Sequence, residues 1–223
     1  MRSTVLATGQ IYHVVNRAID KRPIFSARKE LDRALSTLSF YRFSHTPMRL
    51  SYLLKLPQQE RDTILQKLEK QGEYRVDLLA FCLMPNHFHF LIRQNEDNAT
   101  SRFLADFSNS YTRYYNTKHT GRKGAILEGV FRAVRIEDEE QLLHVSRYIH
   151  INPAVSYLVK TDELTRYPWS SFSEYTGQSD SNICQKDIIL KLFKSKTQYL
   201  EFCLDQVDYG KKLERIKHLT LEE

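Results

Sequence analysis

Tyr74-Arg75-Val76-Asp77-Leu78-Leu79-Ala80-Phe81-Cys82-Leu83, then Met84-Pro85-Asn86, then His87-Phe88-His89-Phe90-Leu91-Ile92-Arg93, is the stretch that decides the fold. Ten mainly apolar residues read as a buried strand, the Pro-Asn pair as a turn, and the run after it as a second, hairpinned strand. Upstream, Tyr12–Arg17 reads as a strand, and Asp20–Phe25 as a turn around Pro23. Ser26 is placed as an N-cap for a helix over Ala27–Phe43, where Leu31, Ala34, Leu35 and Leu38 recur at helical spacing. Thr46–Gly72, with Pro57 leading a charged helical run over Gln58–Lys70, looks like an insertion before the hairpin. Downstream the pattern predicts a helix over Thr100–Asn116 and a strand over Phe131–Ile136. A helix over Glu137–Asn152 follows, ended by Pro153. Strand, helix, strand, strand, helix, strand is the split βαβ order. The expected fold is α+β: a ferredoxin-like (RRM-like) antiparallel sheet with helices on one face. Further helices are expected over Lys186–Phe193 and Lys196–Val207, after an irregular segment at Tyr167–Ser171. The division expected is a sheet domain over residues 1–160, with its helical insertion at about 46–72, and a helical C-terminal extension over 161–223.

The chain has 223 residues, of which 41% are hydrophobic and 27% charged. That composition excludes intrinsic disorder, and the length allows a full core without disulfides. No run approaches a membrane span, and Met1-Arg2-Ser3-Thr4 leads into no apolar signal core. Three cysteines, Cys82, Cys184 and Cys203, sit in apolar or helical contexts and read as buried thiols of a reducing compartment. The expectation is a soluble cytoplasmic protein.

Lys and Arg number 33 against 27 Asp and Glu, a net charge of +6. The excess permits a polyanionic partner. Tyr111-Thr112-Arg113-Tyr114-Tyr115-Asn116-Thr117-Lys118-His119-Thr120-Gly121-Arg122-Lys123 mixes aromatic and cationic side chains and contains no acid. Rings for bases and cations for phosphates are what a nucleic-acid single strand needs. The alternative is a solvated helix face with half-buried tyrosines.

Strand alternation puts His87 and His89 on one face, about 7 Å apart, and Phe88, Phe90 and Ile92 on the other. Neutral imidazoles so spaced can converge on one metal ion or one phosphate; they can equally be two polar residues on an open sheet face. Tyr148 and Asn152, four apart, share a helical face, with His144 one turn earlier. An amide oxygen suits Mg²⁺ or Mn²⁺, and a tyrosine beside a metal is a candidate nucleophile. Asn152 could also cap a helix starting at Pro153, and Tyr148 could be an ordinary half-buried aromatic.

Leu83-Met84-Pro85-Asn86-His87-Phe88-His89-Phe90-Leu91-Ile92 resembles the His-hydrophobe-His motif of the single-tyrosine HUH transposases. Arg147-Tyr148-Ile149-His150-Ile151-Asn152-Pro153 resembles the tyrosine motif of one branch, the REP-associated tyrosine transposases. Asn16-Arg17, Gly129-Val130-Phe131-Arg132-Ala133 and Tyr167-Pro168-Trp169-Ser170-Ser171 are similar to that branch too, and the matches fall in order over roughly residues 10 to 175. The resemblance implies a catalytic domain over 1–160 that cleaves and rejoins single-stranded DNA at hairpin-bearing sites. Tyr148 would be the nucleophile, forming a 5′-phosphotyrosine. His87, His89 and Asn152 would hold a divalent metal, Mg²⁺ or Mn²⁺. Arg17, Arg113, Tyr114, Lys118, Arg122, Lys123 and Arg132 would contact DNA. The protein would act as a monomer or homodimer. The chain departs from the branch in the 46–72 insertion, in the C-terminal extension, and in Ala154-Val155-Ser156 where members often carry Val-Arg-Ala. The competing readings are a catalytically inactive single-stranded DNA- or RNA-binding protein on the same fold, and a metal-dependent hydrolase of small phosphoesters.

Overall fold

The computed structural model describes residues 5–217. Four strands, β1 (Ile11–Arg17), β2 (Val76–Met84), β3 (His87–Gln94) and β4 (Arg132–Arg135), form one sheet in the order β2-β3-β1-β4. Helix α1 (Arg28–Tyr41) follows β1, and α4 (Ala99–Lys118) follows β3, which is the ferredoxin-like arrangement that the hairpin implies. Two further helices, α2 (Leu50–Leu53) and α3 (Gln58–Gln71), fill the connection from α1 to β2. After β4 come α5 (Glu139–Val155), α6 (Phe172–Thr176), α7 (Asp187–Leu190), α8 (Lys196–Leu204) and α9 (Val207–Lys217).

The described residues gather into two compact units. One holds the residues up to Asp77 with Pro85–His87 and Ile92–Arg135; the other holds Leu78–Met84, Phe88–Leu91 and the residues from Ile136 onward.

In the first unit β1 pairs antiparallel with β4, Val14 opposite Ala133 and Val15 opposite Arg132. The alternation of β1 is plain: Tyr12 and Val14 are fully buried, and Ile11, His13 and Val15 beside them only partly. Helix α1 packs on α4, burying Leu31, Ala34 and Leu38 against a face that includes Phe103, Phe107 and Tyr111. The start of α1 differs from expectation. Ser26 does not cap it; the helix begins at Arg28, and Glu30 turns back to accept hydrogen bonds from the backbone N–H groups of Ser26 (3.3 Å) and Ala27 (3.0 Å). A carboxylate satisfies two open donors and complements the helix dipole, so the hydroxyl is not needed.

Every residue of β2 is buried, and Leu78–Met84 of it belong to the second unit. The outer edge of β2 is covered by the segment read from sequence as irregular. Cys82 bridges antiparallel to Ser170, Leu83 N–H donates to Trp169 O (2.9 Å), and Ser171 N–H donates to Phe81 O (3.0 Å). The hydroxyls of Tyr167 and Tyr175 donate to the Leu83 and Leu79 carbonyls. An edge strand with unpaired backbone is a template for aggregation, and this one is closed by its own chain. Helices α8 and α9 pack on α5. Gly210 of α9 sits so close that a Cβ there would meet Val155 Cγ2 at 2.7 Å.

Helix α5 also differs from expectation, because it runs through Pro153 to Val155. Proline removes one N–H, which belonged to the bond with Ile149, but the turn after it closes on other acceptors. Ser156 N–H donates to Asn152 O (2.9 Å) and Leu158 N–H to Pro153 O (2.8 Å). The expected helix over Lys186–Phe193 shrinks to the single turn of α7, and the one over Lys196–Val207 becomes α8, with α9 following.

Candidate functional site

Helix α5 lies against the His89 face of β3. Tyr148 stands edge-on to the His89 ring, centroids 5.3 Å apart and planes at 88°. One turn on, the Asn152 amide reaches His89 Nε2 at 3.4 Å. His89 and Asn152 are buried, at 4% and 6% exposure, whereas Tyr148 is 44% exposed. At His89 the face is therefore covered by α5, and of the three residues only the tyrosine presents itself to solvent. That is the arrangement a nucleophile toward a macromolecule requires: a sheltered polar pair with a reachable hydroxyl beside it.

Behind the pair, the Ser156 hydroxyl donates to Asn152 Oδ1 (3.2 Å). On the hidden side of α5, His150 spans Tyr199 OH (2.7 Å) and Ser171 Oγ (2.8 Å), and Tyr199 OH donates to Ser146 Oγ (3.1 Å). Burial pushes the His150 pKa down to about 3, so this imidazole is neutral, a structural bridge rather than an acid or base. It fixes the rotation of α5 and hence where Tyr148 points.

His87 starts β3, two residues before His89, and so shares its face by strand alternation. Asn86 sets its tautomer. Asn86 Nδ2 donates to Lys21 O (3.2 Å), which turns Oδ1 toward His87 Nδ1 at 2.7 Å. An amide oxygen only accepts, so His87 carries its proton on Nδ1 and leaves Nε2 as the lone-pair nitrogen. Burial, aided by the positive charge of Arg17, lowers the His87 pKa to about 4 and keeps the ring neutral. The sequence presented Asn86 only as a turn residue; its place directly before a ligand-type histidine was the available signal.

The donor set fits a hard or borderline divalent ion. Ligands about 2.1 Å from one cation stand about 3.0 Å apart at right angles and about 3.4 Å apart at a tetrahedral angle; His89 and the Asn152 amide are 3.4 Å apart. A half-turn of the amide brings Oδ1 toward His89 and lets Ser156 Oγ accept from Nδ2. Among the described residues no cluster of three or more His, Cys, Asp or Glu has metal-holding geometry. His144 is not part of it: Arg147 donates to its Nδ1 (2.6 Å), and Glu140 stands 3.7 Å from its Nε2.

The cations expected to meet DNA fare unequally. Lys118 is taken by Glu30 at 2.7 Å, with His119 at 2.9 Å from the same oxygen. The acid missing from the local stretch is thus supplied by α1. Tyr114 donates to Lys29 O (3.1 Å) and carries Arg33 over its ring (5.4 Å). Arg122 lies over Tyr115 (5.9 Å) and donates to Ala125 O (3.3 Å). Arg17, Arg113, Lys123 and Arg132 are exposed. Asn16, beside Arg17, donates to Glu128 O (3.1 Å) and lines, with Arg113 and Gly129, a cleft of about 590 Å³.

Residues 46–152, which include His87, His89, Tyr148 and Asn152, match the family described as transposase IS200 like. A solved structure of a REP-associated tyrosine transposase bound to a REP hairpin has the same fold. Its TM-score is 0.53 at 16% identity, with 82% of this chain and 88% of that chain covered. No curated protein matches the sequence.

Proposed function

We propose that this chain, whose residues 46–152 match the IS200-like transposase family and whose fold is that of a REP-associated tyrosine transposase, cleaves and rejoins single-stranded DNA at hairpin-bearing sites through a 5′-phosphotyrosine. The observation that carries the reading is the exposed Tyr148 ring standing edge-on to a buried His89 that touches Asn152. Tyr148 Oη attacks the scissile phosphorus, the P–O3′ bond breaks, and the phenolic proton passes to solvent while the 3′ oxygen gains one. The new phosphotyrosine keeps the ester, so a second 3′-OH can reverse the step without ATP. His87, His89 and Asn152 would hold a divalent cation, which would supply charge neutralisation at the non-bridging oxygens of the attacked phosphate. Asn86 holds His87 in the ligating tautomer, and His150 holds α5 at the rotation that presents Tyr148. The catalytic residues all lie within 1–160, and α8 and α9 support α5 from behind. DNA contacts fall to Arg17, Arg113, Lys123 and Arg132.

The test is a labelled hairpin-bearing single strand incubated with the protein and Mn²⁺, then run on a denaturing gel. A covalent adduct is expected with the parent protein. Tyr148→Phe should lose it while binding DNA within about two-fold, since only the oxygen is removed. Binding without an adduct in the parent protein would instead select a single-strand platform with no chemistry.

A further inference from the structure

A cavity of about 810 Å³ in the first unit is built by α1, α4 and the segment that carries α2. Four cations line it: Arg33 from α1, Arg113 from α4, and Arg49 and Lys55 from either end of α2. Its one acid, Asp106, is already neutralised by Arg75 at 2.7 Å. Arg75 also donates to the carbonyls of Phe43 (2.9 Å) and Ser44 (3.1 Å), so it fastens the chain entering the α2 segment to α4. The Arg33 Nε atom is buried without a hydrogen-bond partner among the described residues. Arg49, Lys55 and Arg113 have no acidic partner there either. A buried guanidinium donor left open, in a groove whose charge is uncompensated, is a site waiting for anionic oxygens.

We propose that this groove binds the phosphodiester backbone of single-stranded DNA. The insertion noted in the sequence would then be a DNA-binding device: it brings Arg49 and Lys55 to the cavity that Arg33 and Arg113 line. The ligand is a strand and not a free phosphate, because four cations are spread along the lining of a cavity of about 810 Å³, far larger than one phosphate, and because Tyr114 joins them with a ring. The inference rests on the DNA-processing function above, but it concerns a separate set of residues.

Arg49 and Lys55 are both exposed, so replacing them leaves the core intact. Binding of a fluorescent hairpin with a long single-stranded flank would be measured over a salt series for the parent protein, for Arg49→Gln/Lys55→Gln, and for the charge-preserving Arg49→Lys/Lys55→Arg. Each phosphate contact on a single strand contributes about 0.7 to the slope of log affinity against log salt, so the Gln pair should flatten it by about 1.4. The charge-preserving pair should keep the parent slope. Equal slopes and affinities for the parent and the Gln pair would overturn the groove, as would a parent protein that binds no DNA. The adduct assay of the parent protein reads the chemistry separately. An adduct with unchanged slopes removes the groove and leaves the nuclease; a flattened slope without any adduct keeps the groove and removes the nuclease.

Discussion

Asn86 shows how much one residue can decide. Its amide is oriented by a carbonyl 65 positions earlier, and it then dictates which nitrogen of His87 carries the proton. Partners of this kind typically change metal affinity by about 10–100-fold. Asn86→Ala should therefore raise the Mn²⁺ concentration needed for half-maximal adduct by at least about 10-fold, with the final yield at saturating Mn²⁺ largely kept. A loss that no Mn²⁺ concentration restores would mean that Asn86 acts on the fold of the turn instead. Period two put His87 and His89 on one strand face, and spacing four put Tyr148 and Asn152 on one helix face; that the two faces belong to one site was implied by the family resemblance, not by the spacing. The tautomer was not legible in the sequence, because it depends on the Lys21 carbonyl, whose position no local pattern reveals. The ion pair of Lys118 was hidden for the same reason: its counter-charge, Glu30, is 88 residues away.

At the level of elements, Glu30 ties the start of α1 to the end of α4. Burial by itself would raise its pKa. Hydrogen bonds from Lys118, from the backbone at Ala27 and Ser26, and from His119 outweigh that and draw it down to about 2 from the usual 4.5. A carboxyl so depressed contributes stability that is fully present above about pH 4.5 and is lost as pH falls toward 2. Glu30→Gln should cost about 1–3 kcal/mol in urea unfolding at pH 7, and the gap from the parent protein should narrow at pH 3. A constant gap would assign the loss to helix capping alone. The crossing of α9 over α5 gives a second case. Gly→Ala within a helix usually stabilises by about 1 kcal/mol, but at Gly210 the new methyl meets Val155. Gly210→Ala should destabilise, and Val155→Ala in the same chain should recover most of the loss relative to Val155→Ala alone. If Gly210→Ala raises the melting temperature, the helices have room to part. The hairpin and the two crossover helices were legible from apolar periodicity, whereas the length of α5 was not. Pro153 signals an end by its missing N–H, and only the bonds made beyond it show why the helix continues.

For the molecule as a whole, acid should be a strong denaturant. His13 on β1 is held neutral by burial, with its pKa lowered to about 4, and His150 is shifted in the same direction. The unfolded chain binds protons at such sites near pH 6.5 and the folded chain does not, so stability is full above about 6.5 and falls as pH drops toward 4. Each histidine contributes a slope of up to about 1.4 kcal/mol per pH unit within that window. Urea midpoints measured from pH 7 to 4 should fall steadily, and His13→Phe should fall less steeply than the parent; parallel curves would show that His13 is solvated. Among the described residues no helix is long and apolar enough to cross a membrane.

The seam between β2 and the Tyr167–Ser171 segment sets a clock on the newborn chain. Phe81 meets Ser171 across 90 residues of sequence. At a synthesis rate of about 5–20 residues per second, a ribosome needs roughly 5–20 s to travel that distance. For that interval β2 has been made but has no partner along its outer edge, and it must be kept from other nascent strands. Slowing translation after Met84 should therefore lower the soluble yield, and chaperones that shield exposed strands should matter most within that gap.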